Sequence, residues 1–253
     1  MGPGQHRFYD IVSMLCFIGL VGLPIWFAVC ALGPKLGLAD GGFALERLTL
    51  FWGVILASFF VAAGLAALIT LVMYRRSNRE LPPGSWVPIG GLMVACVALT
   101  GSLASAVLYY SEPAVSEVTT DGRTPPVFTE ALVLRRGVKA NTLDYAGGYR
   151  PEAVIEPVHF DAPPDAVFDA MLDMARDRRW RVGAVSRGRG MVELTIESFW
   201  YAQTDDVVVR LSATEEDGTR LDYRAAARSG GRDGGRNARR LSVIERDIRE
   251  RIG

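Results

Sequence analysis

The sequence predicts three membrane-crossing α-helices followed by an α+β domain in the order β-α-β-β-β-β-α, an antiparallel sheet with both helices on one face. Three observations carry this. Charge is partitioned along the chain: residues 1–111 hold six Lys/Arg and four Asp/Glu, and residues 112–253 hold the other 22 and 24, within a formal net charge of zero. The first part contains three uncharged stretches, Ile11–Pro34 (24 residues), Leu48–Tyr74 (27) and Leu81–Ser111 (31). The second part switches between strand-like alternation and helical i, i+3, i+4 spacing.

A spanning helix needs roughly 20 apolar residues, because the hydrocarbon core is about 30 Å thick and each residue rises 1.5 Å. All three stretches meet this, giving helices near residues 9–33, 48–74 and 86–110, the last trimmed because "LPPGSW" is turn-like. Pro24 falls inside the first and is expected to kink it. A cleaved signal peptide is the alternative for that stretch, but it is long and apolar for such a segment and follows the lone Arg7. The predicted spans contain no ionisable core residue, Asp10 sitting at a mouth, which favours an anchor bundle over a transporter. "GLPIW", "VAAGLAAL" and "GSLASA" supply small residues for close packing.

The loop carrying Arg75, Arg76 and Arg79 outweighs the one carrying Lys35 and Arg47 offset by Asp40 and Glu46. Basic loops stay on the cytoplasmic side. The expectation is a multi-pass protein of a bacterial inner membrane, N-terminus cytoplasmic and residues 112–253 periplasmic. Cys16, Cys30 and Cys96 all fall in predicted helices, and His6 and His159 are far apart. No disulfide framework, metal centre or cofactor is therefore expected.

Beyond the membrane, 112–150 reads as an irregular Pro/Gly-rich arm and 151–253 as the domain proper. "VIEPVHF" is a strand, and "DAPPDAVFDAMLDMARDRR" a helix with Asp161 as N-cap and prolines in its first turn. "WRVGAVS", "MVELTIESFW", "DDVVVRLSAT" and "RLDYRAAAR" are four further strands, the last two joined through an Asp-Gly turn. A final helix from about Asn237 to Arg251 aligns Leu241, Ile244, Ile248 and Ile252. "FWY", Phe199–Tyr201, reads first as core, with contact to lipid headgroups as the alternative.

"TDDVVVRL", "LDYR" and "ARSGGRDGGRNARRL", with "VTTDGRTPPVF" upstream, resemble the bacterial family called domain of unknown function 1499, over roughly Glu117–Ile252. The matching positions include Asp121, Pro125, Pro126, Phe128, Asp205, Asp206, Arg210, Asp222, Arg224, Arg228, Gly230, Asp233, Gly235, Asn237 and Arg240. Ala225, Ala227 and Gln203 depart from the pattern, where the family tends to serines and an aromatic residue. The resemblance implies a domain often attached to membrane helices and a shared polar cluster, and no reaction.

If the strands around Asp205–Thr214 and Arg220–Arg228 pair, Asp206 and Arg210 share a face with Asp222, Arg224 and Arg228. That cluster is either an internal salt-bridge network or a site where guanidinium forks grip an anionic or polar envelope ligand. Asp205, Asp233, Asn237 and Arg240 complete the candidate site, with Asn237 or Asp233 capping the last helix and Arg240 needing a partner in its first turn. Adjacent Asp205 and Asp206 point to opposite faces, so they cannot flank one bond as acid and base, and no catalytic residue is assigned. A hydrolase working through Asp206 and the arginines is the alternative. Single-stranded nucleic acid is not expected as a partner: the domain charge is near zero and the Arg-Gly tract lacks aromatics. The expected partners are the bilayer and an anionic envelope ligand or membrane protein.

Overall fold

The uncharged stretches form helices because within lipid every backbone group must be satisfied inside its own segment. The computed structural model describes residues 3–77, 80–82, 84–129, 153–228 and 232–253. It divides into two compact units, Met1–Tyr109 with Trp200–Ala202, and Tyr110–Phe199 with Gln203–Gly253.

The first unit holds α1 (Pro3–Leu32), α2 (Gly41–Arg76) and α3 (Trp86–Ser111). Mean hydropathies of 2.4, 2.5 and 2.0 make all three long and apolar enough to cross a membrane, and the chain is compatible with a membrane protein. Helix α1 runs through Pro24. Helix α2 starts earlier than the charge pattern suggested. The Asp40 side chain caps it by accepting from the Gly42 and Phe43 N–H groups at 2.9 and 3.0 Å, which brings Glu46 and Arg47 into the helix. Glu46 there accepts a 2.7 Å bond from the Tyr109 hydroxyl of α3. Ala44–Trp52 of α2 is wound as a π-helix, and Thr49 Oγ1 donates to the Ala44 carbonyl at 3.0 Å. Helices approach closely where a side chain is missing: a Cβ on Gly91 would lie 2.5 Å from the Cys16 carbonyl oxygen of α1.

In the second unit the sheet runs β2-β1-β7-β6-β5-β4, with β3 also on β7. The strands are β1 (Glu117–Thr119), β2 (Ala153–Val154), β3 (Val158–Phe160), β4 (Arg181–Ser186), β5 (Met191–Glu197), β6 (Thr204–Ala213) and β7 (Thr219–Ala227). Two helices, α4 (Pro164–Asp177) and α5 (Arg236–Ile252), pack on one face. Between them and the sheet lies one apolar core that includes Val167, Phe168, Met171, Val207, Val209, Leu221, Tyr223, Leu241, Ile244 and Ile248.

The expected order is extended at its start. The arm read as irregular supplies β1, which pairs antiparallel with β7 and parallel with β2, so the sheet is mixed. Residues 130–150 of that arm lie outside the described residues. "VIEPVHF" splits into β2 and β3 around Pro157, which has no N–H for a ladder. Asp161 does not cap α4. Pro164 holds Pro163 extended, ψ 152°, so the helix begins after Pro163 with no side-chain cap. Strand β5 stops at Glu197, and Phe199 and Trp200 are exposed rather than core. The chain turns there through Tyr201 and Ala202, both at positive φ.

Candidate functional site

Alternation along β5, β6 and β7 sends Val192, Leu194, Val207, Val209, Leu221 and Tyr223 under the helices and the intervening residues to the other face. The register sets that second face in three rows: Met191–Arg210–Asp222, Glu193–Val208–Arg224–Thr119, and Thr195–Asp206–Ala226–Glu117. The face is covered. Residues 120–129 form a strap across it, with Phe128 buried on Val208 and Ala226.

The five open-face residues singled out in the sequence meet here. Arg210 spans sheet and strap, donating to Asp222 at 2.9 Å, Asp121 at 3.0 Å and the Thr124 carbonyl at 3.0 Å. Asp222 also takes Arg220 at 3.0 Å. Arg224 is fully buried, its guanidinium 4.7 Å from the Phe128 ring centroid. Its Nε donates to Glu117 at 2.7 Å and its Nη1 to the Pro126 carbonyl at 3.1 Å. Its Nη2 has no hydrogen-bond partner among the described residues. Arg228 holds buried Asp206 through Nε at 3.1 Å and through Nη2, and Thr195 Oγ1 adds a 3.0 Å bond to the same carboxylate.

The other four candidates lie on the helix side, where the sheet separates them from that cluster. Asp205 is fully buried and accepts from Arg236 Nε and Nη2, each at 2.7 Å, and from Arg240 Nη1 at 2.8 Å. Arg240 also donates to Asn237 Oδ1 at 2.8 Å. Asn237 does not cap α5; it sits inside the first turn. Asp233 does the capping, its carboxylate accepting from Gly235 N at 2.8 Å and Asn237 N at 2.9 Å. Gly234 and Gly235, at φ 60° and 72°, make the left-handed corner that aims Asp233 at those N–H groups. Gly230 and Gly231 lie outside the described residues. Burial drives the Tyr223 hydroxyl far above its usual range, leaving it a neutral donor to the Asn237 carbonyl at 3.0 Å.

Charge on the strap face is nearly balanced, with Glu117, Asp121, Glu193, Asp206 and Asp222 against Arg210, Arg220, Arg224 and Arg228. Burial disfavours the Asp121 anion, but bonds from the Thr124 N–H and hydroxyl, the Arg123 N–H and Arg210 outweigh it and hold the carboxyl well below the usual range. Burial likewise opposes the Arg210 cation, and Asp222 and Asp121 more than offset it. Sequence reasoning omitted Glu117, Glu193 and Arg236. Glu193 shares the even-spaced face of β5 with Thr195, and Arg236 precedes Arg240 by one helical turn, so both were visible in spacing. Glu117 was hidden because its strand was not foreseen. Among the described residues no group of three or more His, Cys, Asp or Glu is arranged to hold a metal ion.

The profile of a family described as "Protein of unknown function (DUF1499)" matches residues 117–248. These bounds begin in β1 and end in α5, enclosing the strap, both polar clusters and the glycine corner. Comparison with curated proteins and with solved structures returned no match.

Proposed function

The chain belongs to the DUF1499 family, and on that footing we propose that it is a membrane-anchored binding module of the bacterial envelope rather than a catalyst. The reading places it in the inner membrane with its N-terminus cytoplasmic and the sheet domain periplasmic. Arg75 and Arg76 at the end of α2 support that orientation, since basic loops stay inside; Arg79 lies outside the described residues.

In this reading the strap face is the binding face. Arg224, Arg228 and Arg210 meet a phosphate or carboxylate oxygen of an envelope component, and Asp206 and Asp222 fix the guanidiniums in place. Asp205, Asp233, Asn237 and Arg240 secure the last helix behind the sheet. The observation that carries the reading is Arg224 Nη2, a buried donor without a partner among the described residues, on a guanidinium whose other two nitrogens are held by Glu117 and the Pro126 carbonyl. A buried unmade hydrogen bond costs about 1–3 kcal/mol, which an acceptor oxygen would recover. The near balance of charge favours a polar ligand of at most one negative charge. Hydrolysis through Asp206 gains nothing from the geometry: that carboxylate is fully buried and already holds Arg228 and Thr195.

The test uses the full chain in nanodiscs, offered phosphatidylglycerol vesicles in one arm and peptidoglycan fragments in the other. Arg224→Lys keeps the charge opposite Glu117 but removes the Nη2 donor. Binding to one of the two probes is expected, weakened about tenfold or more in that variant. Equal binding by the folded variant, or no binding to either probe by the wild type, overturns the proposal.

A further inference from the structure

The first unit contains a notch of about 280 Å³, walled by Phe27 and Val97 and lined by the hydroxyls of Ser102 and Ser105 and by Thr49, whose hydroxyl accepts from Tyr201 at 3.1 Å, with Gly101 at its edge. Its surroundings are apolar and outward-facing: Met93, Val97, Val107 and Leu108 of α3 are between 64% and 74% exposed. Thr49 and Ser102 are buried, whereas Gly101 and Ser105 are exposed, so the notch opens sideways from a polar floor.

Depth identifies the occupant. Tyr109 and Tyr110 near the end of α3 mark the usual level of interfacial aromatics. At 1.5 Å per residue, Ser105 lies about 6 Å below Tyr109 along the helix and Ser102 about 10 Å. The headgroup zone is about 5–7 Å deep on each side of a hydrocarbon core about 30 Å thick. The hydroxyls therefore begin where the glycerol esters of a phospholipid lie and continue into the upper acyl region. An apolar surface interrupted by hydroxyls at that depth matches a molecule that is polar at one end and hydrocarbon at the other.

We propose that this notch is a phospholipid site, taking the ester-linked upper part of one acyl chain with its carbonyl accepting from the hydroxyls of Ser102 and Ser105, while Thr49, already donating to the Ala44 carbonyl and accepting from Tyr201, closes the floor. It is independent of the strap-face reading and concerns a different ligand contact.

Gly101 supplies the test, because a Cβ built there meets nothing within 4 Å and a larger side chain can enter the notch without displacing the bundle. The full chain is placed in nanodiscs of phosphatidylethanolamine and phosphatidylglycerol containing a diazirine-acyl phosphatidylglycerol. After irradiation the labelled residues are mapped by mass spectrometry. Label should concentrate at residues 97–105. Gly101→Leu should reduce it about tenfold, the loss expected when contact equivalent to about two methylenes is denied. Val107→Leu, on the same helix outside the notch, should leave it unchanged, and Ser105→Leu is a second filling variant should the first not fold. Label spread evenly over exposed α3, or enrichment that survives filling in a folded variant, overturns the proposal.

Discussion

Replacing Asp205 by alanine should destabilise the second unit more than replacing its neighbour Asp206. The Asp205 carboxylate is fully buried and accepts three charge-assisted bonds of 2.7–2.8 Å. Its removal takes the shared counter-ion from two guanidiniums whose side chains are 19% (Arg236) and 9% (Arg240) exposed, with the neutral Gln203 and Asn237 side chains still accepting from them and little water to replace the lost charge. Breaking a buried pair in this way costs about 3–5 kcal/mol. Asp206→Ala releases Arg228 instead, whose side chain is 29% exposed and can turn toward solvent. That loss should lie nearer about 1–3 kcal/mol. Native-state hydrogen exchange on the full chain reads both values from the amides of β6, β7 and α5, where each 1.4 kcal/mol is tenfold in protection. Protection should fall by at least about a hundredfold for Asp205→Ala and by visibly less for Asp206→Ala. Asp205→Asn, which keeps an acceptor but loses the charge, should fall between. Equal losses, or the reverse order, would refute the reasoning that burial of the orphaned arginine sets the cost.

Asp121 and Asp247 titrate below the ordinary carboxylate range, Asp247 chiefly through Arg178. A group depressed on folding contributes fully above its unfolded pKa of about 3.9, and that contribution is lost as pH falls toward the folded value. Stability should thus be insensitive to pH near neutrality and fall below about pH 4, a loss that Asp121→Asn reduces in an acid titration followed by circular dichroism. Arg210→Ala should raise exchange at residues 121–124 about tenfold or more while leaving the α5 amides protected; uniform loss across the unit would contradict a local strap clamp. A C-terminal alkaline phosphatase fusion should be active and the matching GFP fusion dark, and the opposite pair of results would reverse the proposed orientation.

The membrane helices were legible because a run without charge has few alternatives once it exceeds bilayer thickness. The α2 start was missed since the pattern tracked charge, whereas Asp40 capping decided where the helix began. Period-two alternation placed Asp206, Arg210, Asp222, Arg224 and Arg228 on one face, and the register fulfils it. The strap could not be read in the same way. Its residues follow no period, and it is held by single long-range bonds such as Arg224 Nη1 to the Pro126 carbonyl. The helix-side residues enter the candidate site through the family resemblance and through Arg240's need for a partner, although alternation already sends Asp205 and Asp206 to opposite faces.

That division has a consequence for how the sheet finds its alignment. A slip of β6 by one residue would carry Asp205 toward the strap and push Asp206 into the apolar layer under the helices. Arg236 and Arg240 would lose their shared counter-ion, and Arg228 would lose its own. The valines of β6, nearly alike on both faces, tolerate either alignment. The two neighbouring aspartates do not, since each is matched to a different set of arginines. The acidic pair at the start of β6, with Arg210 further along the same strand, thus acts as an alignment key between two pairings that its run of valines would accept equally.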